Sequence, residues 1–179
     1  MKIAVYCSAK DSIPEQYLQL GDELGRWIGE NGHTLVYGGA TGGLMSRTSE
    51  SAKKAGGTVI GVIPQRIKSS GRLAENCDFI IEVQNMSTRK QVMRDNADVI
   101  VCLPGSYGTL DEMMDATSSA IVGEHHKPTY VLNYKGFYES LKQQIALMCS
   151  LKFIPEQQSY EPVFVDTLAE LYERILNND

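Results

Sequence analysis

The sequence predicts an α/β fold, a Rossmann-like doubly wound parallel sheet with helices on both faces. Short apolar runs alternate with segments in which apolar residues recur at helical spacing, a pattern typical of successive β–α units. Glycine-rich turns at residues 38–43 and 104–109 each follow an apolar run and precede a helical segment. Because ligands of such folds bind at the carboxyl ends of the strands, we expect both turns at the ligand-binding edge.

Length and composition indicate one globular domain over residues 1–179. The chain has 42% hydrophobic and 22% charged residues, and neither a repeat nor a linker divides it. A net charge of −5 argues against nucleic acid or an anionic membrane as a partner. No apolar run approaches the ~18 residues of a membrane span, and the N-terminal residues lack a signal-peptide pattern. The cysteines lack C-x-x-C spacing, which favours reduced thiols over a zinc site. We therefore expect a cytoplasmic protein.

Hydrophobic periodicity predicts strands and helices in alternation. The strands are expected over 2–6, 33–37, 58–63, 79–83, 98–103 and 128–132. The helices are expected from about residue 12 to residue 31 and over 44–55, 86–96, 110–121, 137–149 and 167–176. Ser12 with Glu15, and Thr167 with Glu170, have the spacing of N-terminal capping boxes. Residues 64–77 lack clear periodicity and are predicted to form a long loop.

The second turn combines a strand end, two glycines and a helix start. Pro104 ends the apolar run, while Gly105 and Gly108 permit close approaches that a side chain would block. The first N–H groups of the following helix carry partial positive charge and have no acceptor within the helix. The sequence therefore predicts an anion site at this turn, and above all a phosphate site.

The first turn, from Gly38 to Gly43, matches neither of two familiar nucleotide signatures. It lacks the G-x-G-x-x-G pattern of dinucleotide-binding folds, and no Gly-Lys-Ser/Thr follows either turn. Nicotinamide and nucleoside-triphosphate sites are therefore disfavoured. The glycines of this turn either lie against a ligand or allow tight packing of a strand on a helix.

Three charged residues are candidates for chemistry near the phosphate turn. Arg89 and Lys90 place two cations in the first turn of a helix, where they oppose its macrodipole. Such breaks of local rules often mark functional sites. Glu112 follows the phosphate turn and could stabilise positive charge on a bound sugar. Alternatively, the cations could form a solvated face, and Glu112 could complete a capping box with Thr109.

Two of these segments resemble the signatures of the Lonely Guy (LOG) family, the cytokinin-activating nucleoside 5′-monophosphate phosphoribohydrolases. Residues 86–90 match M-x-x-R-K, and residues 104–112 resemble P-G-G-x-G-T-x-x-E. Other segments are similar to family motifs in the same order, at 36–39, 43–45, 56–62 and 123–128. The chain departs from the family at three glycines, whose places are taken by Ala40, Ser46 and Ser106.

The resemblance implies hydrolysis of the N-glycosidic bond of a purine nucleoside 5′-monophosphate, such as a cytokinin riboside 5′-monophosphate or an AMP-like nucleotide. The products would be the free base and ribose 5-phosphate. Arg89 and Glu112 would be the catalytic pair, with no metal or organic cofactor, in a homodimer with sites close to the subunit interface. The substrate-binding residues are expected to be Gly38, Gly39, Lys90, Gly105, Ser106, Tyr107, Gly108, Thr109, Leu110, Asp111 and Thr117.

Another function is open to a chain with this fold. A non-catalytic nucleotide or molybdenum-cofactor carrier would hold its ligand at the phosphate turn without cleaving it. Members of the LOG family have often been labelled lysine decarboxylases, but no segment here supplies the scaffold that holds a Schiff-base lysine and its cofactor.

Overall fold

A central sheet of seven parallel strands organises the protein, whose computed structural model describes residues 1–177. The strands are β1 (Lys2–Tyr6), β2 (Thr34–Tyr37), β3 (Thr58–Pro64), β4 (Phe79–Val83), β5 (Val99–Cys102), β6 (Thr129–Leu132) and β7 (Val163–Val165). The helices are α1 (Glu15–Glu30), α2 (Gly43–Lys54), α3 (Gln65–Ser69), α4 (Met86–Asp95), α5 (Tyr107–Ile121), α6 (Glu139–Ser150) and α7 (Leu168–Leu176). No helix within residues 1–177 is both long and apolar enough to cross a membrane.

The strand order is β4-β3-β2-β1-β5-β6-β7, and all neighbouring strands are parallel. The chain therefore winds outward from β1 in one direction and then returns to β5 to wind in the other. The carboxyl ends of β1 and β5 flank the point where the winding reverses, which is where doubly wound folds bind ligands. The predicted fold class is confirmed.

Each face of the sheet has its own hydrophobic core. Ile3 and Val5 of β1 pack in a cluster with residues of α1, α2 and α7. Ala4 and Tyr6, which alternate with them, pack in a second cluster with residues of α4, α5 and α6. Because successive side chains of a strand point to opposite faces, the apolar run of β1 contributes to both cores.

The helices α1 and α2 pack unusually closely through glycines of α1. Gly21, Gly25 and Gly29 are spaced four residues apart and lie on one face of the helix. A Cβ at Gly25 would lie 2.3 Å from the carbonyl oxygen of Thr48, and one at Gly29 would lie 2.5 Å from the Cβ of Ala55. The glycines therefore set the distance between the two helices.

Three sequence-based expectations about secondary structure were wrong in part. The strand β7 was not predicted, because it has only three residues and follows a proline-containing segment without alternation. The expected loop over 64–77 contains the short helix α3. At the start of α1, Pro14 is the N-cap residue and makes no side-chain capping bond, so Ser12 and Glu15 form no capping box. At α7, by contrast, Thr167 caps the helix by accepting the Glu170 N–H.

Candidate active site

The turn after β5 leads directly into the N-terminus of α5, three residues earlier than the sequence predicted. Ser106 is the N-cap residue, its side chain makes no capping hydrogen bond, and the first turn contains no acidic residue. Leu110 donates the first helical bond to the Ser106 carbonyl at 3.0 Å, so the amides of Tyr107, Gly108 and Thr109 precede the helical ladder. This helix end presents N–H donors and the positive end of the helix dipole, as an anion site requires.

The two glycines of this turn have different surroundings. A Cβ at Gly105 would lie 2.0 Å from the Thr109 hydroxyl, so the turn packs directly against the buried Thr109 side chain. A Cβ at Gly108 would meet no heavy atom within 4 Å. Gly105 is therefore required for the shape of the turn, whereas Gly108 leaves space in front of the first amides.

Arg89 of α4 and Glu112 of α5 form a buried ion pair beside this turn. Their side chains are 5% and 3% exposed, and Arg89 Nη1 donates to Glu112 Oε1 at 2.6 Å. Arg89 Nε also donates to the carbonyl of Val62 at 3.1 Å, which anchors the guanidinium to β3. A Cβ at Gly38 would lie 1.8 Å from Arg89 Nη2, so glycine at that position makes room for the guanidinium.

The carboxylate of Glu112 has an altered proton affinity. Burial raises its pKa above the ordinary range, and the attraction of Arg89 offsets only part of this effect. Among residues 1–177, only Arg89 donates a hydrogen bond to this carboxylate, and it engages Oε1 alone. The second oxygen, Oε2, is available to a water molecule or a sugar.

The alternative capping role of Glu112 is not observed. Ser106, not Thr109, is the N-cap residue of α5, so Thr109 and Glu112 both lie within the helix. The carboxylate contacts Arg89 instead of a backbone amide at the helix start.

A second set of ion pairs joins α4 to α5 next to the buried pair. Lys90 Nζ lies 2.9 Å from Asp111 and 3.3 Å from Asp115, and Arg94 Nη1 lies 2.5 Å from Asp115. Partial burial lowers the pKa of Lys90, but the hydrogen bonds with Asp111 and Asp115 outweigh burial and raise it. Lys90 is thus held as a cation between the helices.

A cleft of about 230 Å³ opens at the carboxyl edge of the sheet and includes the buried ion pair. Its lining residues come from the loop after β1, from the first turn and α2, from α3 and the following loop, and from α4 and α5. They are Cys7, Ser8, Ala9, Lys10, Ala40, Met45, Ile67, Arg72, Met86, Arg89, Ser106, Gly108, Thr109 and Glu112.

The structure brings part of the predicted site together in this cleft. The predicted residues that line it are Arg89, Ser106, Gly108, Thr109 and Glu112. Three predicted glycines do not line the cleft but lie against neighbouring groups. Gly38 lies against the guanidinium of Arg89, Gly39 lies against β3 with φ of +66°, and Gly105 lies against the side chain of Thr109.

Other predicted residues lie outside the cleft. The side chain of Tyr107 is 90% exposed, and Leu110 packs against the core that α4, α5 and α6 share. Lys90 and Asp111 pair with each other at the α4–α5 contact. Thr117 donates to the carbonyl of Met113 at 2.9 Å and lines a different, apolar groove.

Several lining residues were not among the predicted catalytic and substrate-binding residues. Cys7, Ser8 and Lys10 follow β1, whose carboxyl end adjoins that of β5 at the winding reversal. The predicted doubly wound topology was a signal that could have located them. Ile67 and Arg72 belong to the segment that was expected to be a long loop, whose lack of periodicity gave no means of choosing single residues.

The three departures from the family glycines fit the backbone without strain. Ser106 has φ of −108° and ψ of −155°, which is ordinary extended geometry for a side chain. Ala40 is buried and forms an antiparallel bridge with Leu73. The Ser46 hydroxyl accepts the Gly42 N–H at 2.8 Å, so it supports the first turn. None of the three has a positive φ.

Comparison with known proteins agrees with these features. A family model described as "possible lysine decarboxylase" matches residues 45–175. A cytokinin riboside 5′-monophosphate phosphoribohydrolase of Mycobacterium marinum is 32% identical over 166 residues, which cover 93% of this chain and 88% of that protein. The rice protein named cytokinin riboside 5′-monophosphate phosphoribohydrolase LOG is 35% identical over 170 residues, covering 95% of this chain and 70% of its own length. The chain belongs to the LOG family.

Solved structures named as molybdenum-cofactor-binding proteins have the same fold as this LOG-family chain. The molybdenum cofactor binding protein of Rippkaea orientalis has a TM-score of 0.76 at 24% identity, covering 98% of this chain and 95% of its own. The molybdenum cofactor carrier protein of Chlamydomonas reinhardtii has a TM-score of 0.73 at 25% identity, with the same coverage. The similarity extends over the whole α/β architecture of the LOG-family chain.

Proposed function

We propose that this protein hydrolyses the N-glycosidic bond of a purine nucleoside 5′-monophosphate and releases the free base and ribose 5-phosphate. The observation that carries the proposal is the buried pair of Arg89 and Glu112 in the same cleft as the uncapped N-terminus of α5. The names of the mycobacterial and rice relatives support this reaction. They make a cytokinin riboside 5′-monophosphate and an AMP-like nucleotide candidate substrates.

In this proposal the 5′-phosphate binds at the first turn of α5. The amides of Tyr107, Gly108 and Thr109 donate to its oxygens, and the space in front of Gly108 admits them. Two further residues line the cleft: Ser106 of this turn supplies a hydroxyl, and Lys10 of the loop after β1 supplies a cation. Fixing the phosphate holds the ribose in one orientation, which lowers the entropic part of the barrier.

The ribose then lies beside Glu112, which is one helical turn after the phosphate turn. As the bond from C1′ to the base nitrogen breaks, the sugar develops oxocarbenium character. A buried carboxylate stabilises that positive charge more strongly than one in water, because the surroundings screen it less. Arg89 holds Oε1, so the carboxylate does not have to reorient during the reaction.

Water completes the proposed reaction at the free oxygen of Glu112. Oε2 accepts a proton from a water molecule as the water oxygen bonds to C1′. The base leaves with the electron pair of the broken bond and takes up a proton from water, and Glu112 returns its proton to water, so the net reaction consumes one water molecule. These steps use the side chains of the cleft and require no metal or organic cofactor.

Decarboxylation of lysine, which the description of the matched family model suggests, has less support in this site. A pyridoxal enzyme needs a lysine that forms a Schiff base with its cofactor. Lys10 is the one lysine among the lining residues of the cleft, and in this proposal it binds the phosphate. Lys90, which follows Arg89, is held as a cation outside the cleft by Asp111 and Asp115. A cationic lysine in two ion pairs is poorly suited to nucleophilic attack.

The second candidate is a carrier that binds a phosphorylated ligand without cleaving it. The names of the structural neighbours from Rippkaea orientalis and Chlamydomonas reinhardtii favour this alternative. The carboxylate of Glu112 argues against it, because a buried anion near a phosphate site repels a phosphorylated ligand and has no use in a protein that only carries the ligand.

We also propose that the protein is a cytoplasmic homodimer, as the LOG resemblance implies. An apolar groove of about 400 Å³ lies along α5 and α6, and Met114 and Ile121 at this groove are 38% and 39% exposed. Thr117 lines the same groove, so pairing of two copies through this face would bring Thr117 into the interface. Sedimentation equilibrium tests the dimer, and a monomer at micromolar concentration would contradict it.

The reaction can be tested by incubating the protein with AMP, GMP, IMP and N6-prenylated AMP. Free base is measured by chromatography and ribose 5-phosphate by a coupled enzymatic assay. We expect both products in equal amounts from at least one nucleotide. Tight binding without turnover of any of the four would favour the carrier.

A further inference from the structure

The loop that follows β1 meets the phosphate turn at the carboxyl edge of the sheet. The strands β1 and β5 are parallel neighbours, and the Leu103 N–H donates to the Tyr6 carbonyl at 2.9 Å where the two strands end. The segments that follow them therefore leave the sheet side by side. Lys10 of the first segment and Ser106 of the second line both the cleft and a neighbouring apolar pocket of about 240 Å³. Lys10 thus borders the subsite proposed for the phosphate.

The charge of Lys10 is not neutralised by a neighbouring carboxylate. None of the ion pairs within residues 1–177 includes Lys10 or the adjacent Asp11. In the same part of the chain, the one hydrogen bond of Lys10 to a side chain comes from its backbone N–H, which donates to the Ser8 hydroxyl at 3.2 Å. The ammonium can therefore bind a phosphate oxygen. Because a lysine side chain is long and flexible, its reach depends on where the backbone of the loop is held.

Two glycines of the first turn hold the backbone of this loop. Gly42 and Gly43 have φ of +105° and +51°, which few residues other than glycine adopt. A Cβ at Gly42 would lie 2.5 Å from the Ala9 carbonyl oxygen, and one at Gly43 would lie 2.6 Å from the Lys10 carbonyl oxygen. The loop after β1 therefore packs backbone against backbone on the start of α2.

Asp11 fastens the loop to α2 by a hydrogen bond. Its Oδ1 accepts the Gly43 N–H at 2.7 Å. The N-cap residue of α2 is Gly42, and the first turn of the helix contains no acidic residue, so Asp11 supplies the acceptor from another segment. The Met45 N–H donates to the Ser8 carbonyl at 3.3 Å and adds a second tie between the loop and α2. The start of α2 is thus occupied by the loop that carries Lys10.

We propose that Asp11 is a positioning residue that holds Lys10 at the phosphate subsite. Asp11 contacts α2 and acts on the ligand only through the backbone that it shares with Lys10. The two adjacent charges then have separate roles, since the anion anchors the loop and the cation binds the 5′-phosphate. The inference rests on the proposed function, because it assumes that the phosphate binds at the first turn of α5.

The affinity for ribose 5-phosphate, the phosphorylated product, tests this role without turnover. Calorimetric titration gives its dissociation constant for the wild type and for each variant. Lys10→Met keeps the aliphatic stem and removes the ammonium, so we expect binding to weaken by about 10- to 100-fold, as for the loss of one hydrogen bond to a charged group. Asp11→Ala frees the loop but leaves the ammonium, so we expect a smaller loss of about 3- to 10-fold.

The sign of the effect separates positioning from direct electrostatics. If Asp11 acted only as a nearby anion, it would repel phosphate, and both Asp11→Ala and Asp11→Asn would strengthen binding. If Asp11 anchors the loop, Asp11→Asn keeps an oxygen that accepts the Gly43 N–H and should retain wild-type affinity. Weaker binding in Asp11→Ala alone supports positioning, whereas tighter binding in Asp11→Ala would overturn it.

A double-mutant cycle shows whether Asp11 acts through Lys10. In the Lys10→Met background, Asp11→Ala should change the dissociation constant by less than about twofold. A loss as large as in the wild-type background would overturn the proposal, because Asp11 would then act on the whole fold or on another residue.

Asp98→Ala is the matched control for Asp11→Ala. Asp98 is exposed and accepts the Lys2 N–H at 2.7 Å, a bond of the same kind and length, but it lies at the amino end of β1 and does not line the cleft. Its replacement should leave the affinity for ribose 5-phosphate unchanged. An equal loss in Asp98→Ala would mean that the Asp11 effect reflects general destabilisation, contrary to the proposal.

The results for Asp11 and for the proposed reaction can differ. Hydrolysis of a nucleotide together with additive effects of the two substitutions would overturn the positioning role and leave the reaction intact. Coupled effects on ribose 5-phosphate affinity without hydrolysis of any nucleotide would support the positioning role and remove the reaction. Failure of ribose 5-phosphate to bind the wild type would overturn the role of Asp11 and Lys10 in a phosphate subsite.

Discussion

Arg89 on α4 donates a 2.6 Å hydrogen bond to one carboxylate oxygen of Glu112 on α5, and both side chains are buried. The contact joins two helices that follow strands at different places in the sheet, β4 at its edge and β5 near its centre. It leaves Oε2 of Glu112 without a donor among residues 1–177. An anchored carboxylate with one free oxygen therefore lies next to the helix end that is proposed to bind phosphate.

Replacing Glu112 with glutamine should abolish hydrolysis while leaving nucleotide binding intact. The amide keeps the size of the side chain and an oxygen for Arg89, but it can neither stabilise an oxocarbenium ion nor take a proton from water. We expect kcat to fall by about 10²–10⁴-fold, the usual range for loss of a general base. Kinetics on the preferred nucleotide and calorimetric titration with the same nucleotide measure the two effects.

The control for this substitution is Glu50→Gln on α2. Glu50 is exposed, and its one ion pair, with Lys54, is 4.0 Å long. Its replacement should change neither kcat nor binding. Retention of full activity in Glu112→Gln would remove Glu112 from the mechanism.

The pH dependence of the reaction should reflect the burial of Glu112. Because burial raises its pKa, protonation of Glu112 begins at a higher pH than for an ordinary glutamate. The active form is the carboxylate, so kcat/KM should rise with pH through an apparent pKa above the ordinary glutamate range. A pH–rate profile with a limb at or below that range would contradict this assignment.

Stability should change with pH in the opposite direction over the same window. A group whose pKa is higher in the folded state binds its proton more tightly there, so it stabilises the fold at low pH. This contribution is lost as the pH rises through the raised pKa of Glu112. Thermal unfolding of the wild type and of Glu112→Gln, compared across this window, isolates the contribution of the one carboxyl.

The sequence was sufficient to predict the doubly wound sheet, since apolar strands and amphipathic helices alternate clearly up to β6. Through the family resemblance it also singled out Arg89 and Glu112 as a pair, and the structure shows them in direct contact. Arg89 lies four residues before the fully buried Met93, which places it on the inward face of α4, whereas Lys90 is rotated toward α5. The resemblance assigned Arg89 to catalysis and Lys90 to substrate binding, but which face of α4 each side chain occupies is set by packing.

Two lining residues that follow β3 could not be predicted for a different reason. Ile67 and Arg72 reach the cleft because residues 72–74 pair with residues 39–41, a tertiary contact that leaves no local pattern. Thr117 is a different case, and its role in the nucleotide site stays a prediction. The resemblance assigned it to the nucleotide site, but within residues 1–177 its hydroxyl bonds to α5 itself and its side chain lines the apolar groove.

The two glycines of the phosphate turn should respond differently to alanine. At Gly105 the new Cβ would lie 2.0 Å from the Thr109 hydroxyl, so Gly105→Ala should distort the turn and cost about 1–3 kcal/mol of unfolding free energy. At Gly108 the Cβ meets open space within the helix α5, so Gly108→Ala should preserve or slightly raise stability.

The two glycine variants should also differ in their affinity for the nucleotide. The methyl group of Gly108→Ala would occupy the space proposed for the phosphate, so nucleotide affinity should fall while the fold remains intact. Chemical denaturation gives the stabilities, and calorimetry with inorganic phosphate and with the nucleotide gives the affinities. Unchanged phosphate affinity in Gly108→Ala would place the phosphate elsewhere.

The close packing of α1 on α2 makes a prediction independent of the active site. Gly25→Ala would place a Cβ 2.3 Å from the Thr48 carbonyl oxygen, and a backbone atom cannot move aside as a flexible side chain can. Overpacking typically costs about 1–3 kcal/mol, and the better helix propensity of alanine returns about 1 kcal/mol at most. For a chain of this size the melting temperature falls by about 2–4 °C for each kcal/mol lost.

Gln19→Ala, at an exposed position of the same helix, tests helix propensity alone and should leave the melting temperature unchanged or slightly higher. Equal stability of Gly25→Ala and the wild type would mean that the two helices can separate freely, contrary to a spacing set by the glycines.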